Sequence, residues 1–220
     1  MSDPSEARGL IADAASLGVA LTAQQASQLL RLLDELSQWN RAYNLTAIRE
    51  RVAMVRAHLL DSLAAFPELQ GERVLDVGTG AGFPGLPLAV AAPGRHFTLV
   101  DAIAKKIRFV AHAARILELG NVAPLQARVE SLPADPPFDT ILARAYAGLP
   151  ALLESVAALS GPATRIVALK GRYPADELAS LPAGWQLERS RPVAIPGLDA
   201  QRHILCLRRI VPAEPRQGLD

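Results

Sequence analysis

The run VLDVGTGAGFPG, Val74 to Gly85, decides the fold. It opens as a short apolar strand and then breaks into Gly78, Gly80, Gly82 and Gly85, four glycines within eight residues. A strand-to-helix turn needs small residues if a ligand is to touch backbone N–H groups at the helix start. Gly80 to Gly85 also satisfies G-x-G-x-x-G, and Asp101 lies 21 residues beyond Gly80, at the end of the next apolar run. A nucleotide-binding fold places an acid at that distance to take ribose hydroxyls. The turn therefore predicts a nucleotide-like cofactor, and two compete for it: NAD in an oxidoreductase, or S-adenosyl-L-methionine in a methyltransferase.

Two neighbours of the glycines favour S-adenosyl-L-methionine. Asp76 precedes Gly78 by two residues. A carboxylate there suits the ammonium of a methionine moiety and repels a pyrophosphate. Pro84 and Pro87 fall in the first turn of the following helix, where proline is tolerated. Pro84 also removes one of the N–H groups that a pyrophosphate would use.

Outward from the turn, strands and helices alternate. RVLDV, HFTLVD, NVAPLQA, FDTILAR and RIVALK read as strands. Helices are expected over Phe83 to Ala92, Ile103 to Leu119 (ended by Gly120) and Leu149 to Leu159. After Gly171 come a weak helix and two runs, WQLERSRPVAI and RHILCLRR, that suit an antiparallel hairpin at the sheet edge. The expected fold is α/β and Rossmann-like: a mostly parallel doubly wound sheet with that hairpin and an N-terminal helical annex. The annex spans 1–70, the cofactor-binding domain 71–210 and a tail 211–220. In the annex, Thr22 and Gln25 suit a capping box. Leu29, Leu30, Leu33 and Leu36 follow at helical spacing, and a second apolar-periodic stretch runs from Val52 to Phe66 before Pro67.

Composition narrows the class. Half of the 220 residues are hydrophobic, enough for a packed core. One cysteine, Cys206, excludes an intramolecular disulfide and a Cys-rich zinc site, and no metal is expected. MSDPSEARGL lacks a basic segment followed by an apolar one, and no run of 18 apolar residues exists. A cytoplasmic protein without a membrane partner is expected. Net charge is +1, so any nucleic-acid surface must be a local patch.

Ligands of open α/β sheets sit at the C-terminal strand ends. There the sequence has Asp101 for a ribose, Arg128, Val129 and Glu130 beside an adenine, and Arg144 as the catalytic candidate. RNA contacts are expected from Arg128, Lys170, Arg202 and His203, since Arg stacks on bases and forks phosphate. His58 and Asp61 share a helical face and suit a structural hydrogen bond better than a metal. Trp39, Asn40, Tyr43 and Asn44 suit a packed junction better than a base-stacking face.

The ordered set WNRAYNLTAI, HLLDSL, VLDVGTGAGFPGLPLAV, LVDAIAKKIRFV, RVE, FDTILARA, Lys170-Gly171 and Arg202-His203 resembles a known family. This is the bacterial 16S rRNA (guanine-N7) methyltransferases, the glucose-inhibited division protein B family. The resemblance covers Trp39 to Leu207. It implies methyl transfer to N7 of guanine 527 in the 530 loop, with 16S rRNA, the small ribosomal subunit or an assembly intermediate as partner. It implies cofactor contacts at Gly78, Phe83, Val129, Glu130 and Arg144. The family usually has Ser after the ribose acid, where this chain has Ala102. A monomer is expected. The alternatives are a small-molecule or protein methyltransferase, a NAD oxidoreductase, and a non-catalytic RNA-binding factor on the same fold.

Overall fold

The computed structural model describes residues 4–210; the expected tail, 211–220, lies outside them. Seven strands form one sheet: β1 (Arg73–Val77), β2 (His96–Asp101), β3 (Val122–Gln126), β4 (Phe138–Arg144), β5 (Ser160–Lys170), β6 (Trp185–Pro192) and β7 (His203–Arg209). Their order is β3-β2-β1-β4-β5-β7-β6. The first five are parallel, and β7 runs antiparallel between β5 and β6. The chain order reverses on either side of β1 and β4, so a crevice opens at their C-terminal ends. The glycine turn and Arg144 both lie there.

The helices are α1 (Pro4–Ser16), α2 (Ala23–Tyr43), α3 (Arg51–Met54), α4 (Asp61–Leu63), α5 (Gly85–Ala91), α6 (Ala104–Ile116), α7 (Leu149–Ser155) and α8 (Ala175–Ala179). The capping box forms in full: Thr22 N donates to Gln25 Oε1 at 2.8 Å and Gln25 N donates to Thr22 Oγ1 at 3.2 Å. Such a cap stabilises a helix by about 1 kcal/mol. From α2, Leu29, Leu30, Leu33 and Leu36 are fully buried in a core that also contains Leu86, Leu99 and Phe109. Annex and sheet therefore share one apolar cluster.

The observed bounds differ from expectation where backbone geometry overrides apolar periodicity. The stretch from Val52 is not one α-helix. A π-helical turn, Val55–Leu60, separates α3 from α4, and Asp61 N donates to Arg56 O. One extra residue in a turn rotates the next turn around the helix axis. Helix α6 stops before Gly120 because Glu118 takes the left-handed conformation at φ 57°. Leu119 N then bonds Ala114 O and Glu118 N bonds Arg115 O, the Schellman pattern with Glu where Gly is usual. Helix α5 starts at Gly85 rather than Phe83, since the turn consumes Gly78 to Pro84.

The C-terminal hairpin is tied down by Glu68. This buried carboxylate accepts from Arg191 Nε at 3.1 Å and lies 3.4 Å from Cys206 Sγ. Burial and that carboxylate push the Cys206 thiol up to about 12, so it stays protonated. No helix among the described residues is long and apolar enough to cross a membrane.

Candidate active site

The glycine turn is braced from within. Asp76 is fully buried at the end of β1, and its Oδ2 accepts from Thr79 Oγ1 at 2.5 Å and Gly85 N at 2.9 Å. A Cβ on Gly85 would sit 2.7 Å from that oxygen and from Leu99, so only glycine permits this approach. Burial pushes the Asp76 carboxyl up to about 6, against the lowering effect of those two hydrogen bonds. The sequence placed Asp76 beside a ligand ammonium. The structure gives it first a bracing role, with Oδ1 left as a buried acceptor without a partner.

A first cavity of about 310 Å³ opens beside the turn, lined by Gly78, Asp101, Ala102, Lys106, Arg128, Val129, Glu130, Ala145 and Tyr146 among others. Asp101 is buried. Its Oδ1 accepts from Ile103 N at 2.9 Å and its Oδ2 from Gly80 N and Lys106 Nζ, both at 3.1 Å. One carboxylate thus couples the turn to the start of α6. Asp101, Arg128, Val129 and Glu130 stand together in this cavity.

A second cavity of about 420 Å³ lies at the ends of β4 and β5. His58, Asp61, Arg144, Lys170 and Arg202 supply its polar lining, and Ala145 and Tyr146 belong to both cavities. Ala145 has φ 51°, which turns the chain so that Tyr146 packs on Gly78. A Cβ on Gly78 would lie 2.8 Å from Tyr146 Cδ2, at a φ of 63°. The junction of the two cavities therefore depends on that glycine.

Asp61 organises the second cavity. Its Oδ2 takes Arg144 Nη1 at 3.2 Å and its Oδ1 takes Arg202 Nε at 2.7 Å. Arg144 Nη1 also donates to Ala57 O at 3.0 Å, and its guanidinium lies 5.5 Å from the Phe83 ring centre. His58 stacks on the same ring. Phe83 is buried between them and does not line the first cavity. It packs beside Arg144. Lys170 is paired with Glu177 at 2.7 Å. His203, expected at the RNA surface, lies against the edge of Tyr173 with Nδ1 buried. Among the described residues no three His, Cys, Asp or Glu side chains come together as a metal site.

A family model described as rRNA small subunit methyltransferase G, GidB, matches residues 25–205. The chain belongs to the GidB family. Relatives named ribosomal RNA small subunit methyltransferase G come from Escherichia fergusonii and Erwinia tasmaniensis. The first is 45% identical over 191 residues, covering 87% of this chain and 92% of the relative. The second is 43% identical over 192 residues, covering 87% and 94%. Among solved structures, a SAM dependent methyltransferase from Aquifex aeolicus superposes with a TM-score of 0.52 at 20% identity. That match covers 71% of this chain and 93% of the other, and it bears on the fold alone.

In this GidB chain, two residues shape the surroundings of Arg144 in ways the sequence does not indicate. Tyr146 carries no motif signal; only its place just after a strand end marked it. Asp61 was visible as the partner of His58 at helical spacing. The π-turn separates that pair and sends Asp61 to two arginines from β4 and the segment before β7. His58 instead hydrogen-bonds Thr46 Oγ1 through Nε2 at 3.0 Å. Trp39 packs against Phe109 and His112, which makes it part of the junction between α2 and α6.

Proposed function

We propose that this chain transfers the methyl group of S-adenosyl-L-methionine to N7 of a guanine in 16S rRNA, at guanine 527 of the 530 loop. One observation carries the reading. A nucleotide-sized cavity and a cationic cavity meet at Ala145 and Tyr146, in a chain of this family. The names of the relatives give ribosomal RNA of the small subunit as the substrate class.

The residues fit the cofactor. Asp101 is positioned for ribose hydroxyls, and Val129 and Glu130 for the adenine side. Asp76 is fully buried and lines neither cavity, so its carboxylate, with Oδ1 unpartnered, would favour the ammonium through its charge from beneath the turn rather than by direct contact. Gly78 and Tyr146 line the same cavity, and the methionine end would lie along the glycine backbone there. When bound, S-adenosyl-L-methionine supplies an electrophilic methyl on a cationic sulfur.

Guanine N7 is a lone pair with no proton to remove, so the chemistry needs alignment rather than a general base. The second cavity suits that task. Its histidine is held neutral: burial, reinforced by the Arg144 charge, pulls His58 down to about 4. Arg144 stands where β4 ends, in the second cavity and just before the shared Ala145 and Tyr146, and serves as the group that aligns the base. Arg202 supplies a cation for RNA, and Lys170, paired with Glu177, stands beside it as a further donor.

The test is a map of N7-methylguanine in 16S rRNA from a strain lacking the gene, by primer extension after cleavage at the modified base. Loss at one guanine of the 530 loop, restored by the wild-type gene, is the expected result. Unchanged modification overturns the RNA assignment. Calorimetric titration with S-adenosylhomocysteine and NAD separates the oxidoreductase alternative.

A further inference from the structure

We propose that Asp61 is the positioning residue of the substrate-side cavity, aiming Arg144 and Arg202 and cancelling one of their two charges so that a cationic purine can be accommodated. The inference rests on the reading of that cavity as a guanine site. It starts from three facts. Asp61 is 7% exposed and lines the cavity. Its two oxygens are divided between two arginines from distant parts of the chain. It reaches them from the end of the π-turn that sets its direction.

The charge balance gives this arrangement a purpose. As the N7–CH3 bond forms from the N7 lone pair, the S–CH3 bond breaks and its electron pair stays on sulfur. No proton moves, and one positive charge passes from sulfur to the purine. The receiving cavity already contains Arg144, Arg202 and Lys170. Glu177 neutralises Lys170. The two arginines have Asp61 alone as a carboxylate partner among the described residues. Without it, the purine would gain its charge beside two uncompensated cations, which opposes transfer. With it, one charge remains, the amount that a single RNA phosphate on Arg202 would offset.

Three readouts on Asp61→Asn test the idea. With S-adenosylhomocysteine present, wild type should prefer 7-methylguanosine monophosphate to guanosine monophosphate, and the variant should lose or reverse that preference. Affinity for small-subunit RNA should hold or rise, with the salt dependence steeper by about one phosphate contact, while kcat falls by about tenfold or more. Asp61→Glu, which retains the charge, should keep the preference for the methylated nucleotide even if turnover drops. Parallel losses of RNA affinity, cofactor affinity and melting temperature in Asp61→Asn would reduce Asp61 to a structural ion pair and overturn the proposal. So would an unaltered nucleotide preference. If wild type binds neither nucleotide, the guanine reading of the cavity fails first and the role of Asp61 falls with it.

Discussion

The imidazole of His58 stacks on the Phe83 ring, centroids 4.8 Å apart and planes 24° from parallel. The contact joins the π-turn of the annex to the glycine turn of the sheet. It needs a neutral ring, because the site is buried and Arg144 stands beside it. His58 is thereby pulled from 6.5 to about 4. Between those pH values the unfolded chain binds a proton that the folded chain refuses. The stability gained by keeping His58 neutral is complete above about pH 6.5 and is lost as pH falls toward 4, amounting to roughly 3 kcal/mol at most. Urea unfolding across that window should show the loss in wild type and a flatter profile in His58→Gln. Identical slopes would disprove the burial account.

Asp76 works in the opposite sense. Its carboxyl is raised from 3.8 to about 6 by burial. Its contribution is therefore favourable below about pH 4 and is lost as pH rises through about 6. Asp76→Asn keeps an oxygen for Thr79 and Gly85 and removes the buried charge, so stability at neutral pH should rise by roughly 1–3 kcal/mol. The same change should weaken S-adenosylhomocysteine binding by about tenfold or more, because an amide no longer attracts an ammonium. Calorimetry decides this: wild-type affinity in Asp76→Asn would rule out the attraction of the Asp76 charge for the ammonium and leave only the brace.

Asp76 also marks how far the sequence could be read. Its place before the glycines was legible, and so were the strand ends bearing Asp101, Val129, Glu130 and Arg144, because period-2 and period-3.6 apolar patterns set the order of elements. What Asp76 bonds to was not legible, since that depends on how Thr79 and Gly85 fold back over it. Asp61 shows the same limit. A π-turn has no apolar periodicity of its own, so the two arginines that meet Asp61, 83 and 141 residues away in sequence, could not be inferred from spacing. Phe83 and His203 were assigned to ligands because of where they fall in motifs. The contacts of Phe83 with His58 and Arg144, and of the half-buried His203 with Tyr173, do not follow from motif position.

Gly78→Ala should close the junction between the cavities. The new methyl would stand 2.8 Å from Tyr146 Cδ2, on a backbone at φ 63°. Strain in that region costs of order 1–3 kcal/mol, and the ring must also move. A lowered melting temperature together with a loss of cofactor affinity is expected. A variant that melts lower but binds S-adenosylhomocysteine normally would show that Tyr146 does not govern access.

Glu118→Gly should act on stability alone. Glu118 is exposed and holds φ 57° to end α6. Glycine adopts that conformation without a Cβ penalty, which on balance favours the variant by about 0.5–1 kcal/mol. The denaturation midpoint should rise while methyl-transfer rates stay the same, since the position lines neither cavity of the site. A decrease in stability would mean that the side chain of Glu118 contributes more than its backbone strain costs.

Arg144→Lys distinguishes a guanidinium from a charge. Arg144 uses one nitrogen for both Ala57 O and Asp61 Oδ2 while its guanidinium lies near the Phe83 ring. A lysine ammonium can reach one of those oxygens but has no plane to lay against an aromatic ring. The charge that Asp61 needs would be retained, so the fold should hold to within about 1 kcal/mol, whereas Arg144→Ala leaves the buried carboxylate short of a partner and should cost about 1–3 kcal/mol. If Arg144 aligns the base, both variants should lose kcat by about a hundredfold with little change in S-adenosylhomocysteine affinity, because the alignment depends on shape as well as charge. Full activity in Arg144→Lys would reduce the residue to a counter-ion for Asp61. Single-turnover rates at saturating RNA, compared with melting curves for the same two variants, separate these outcomes.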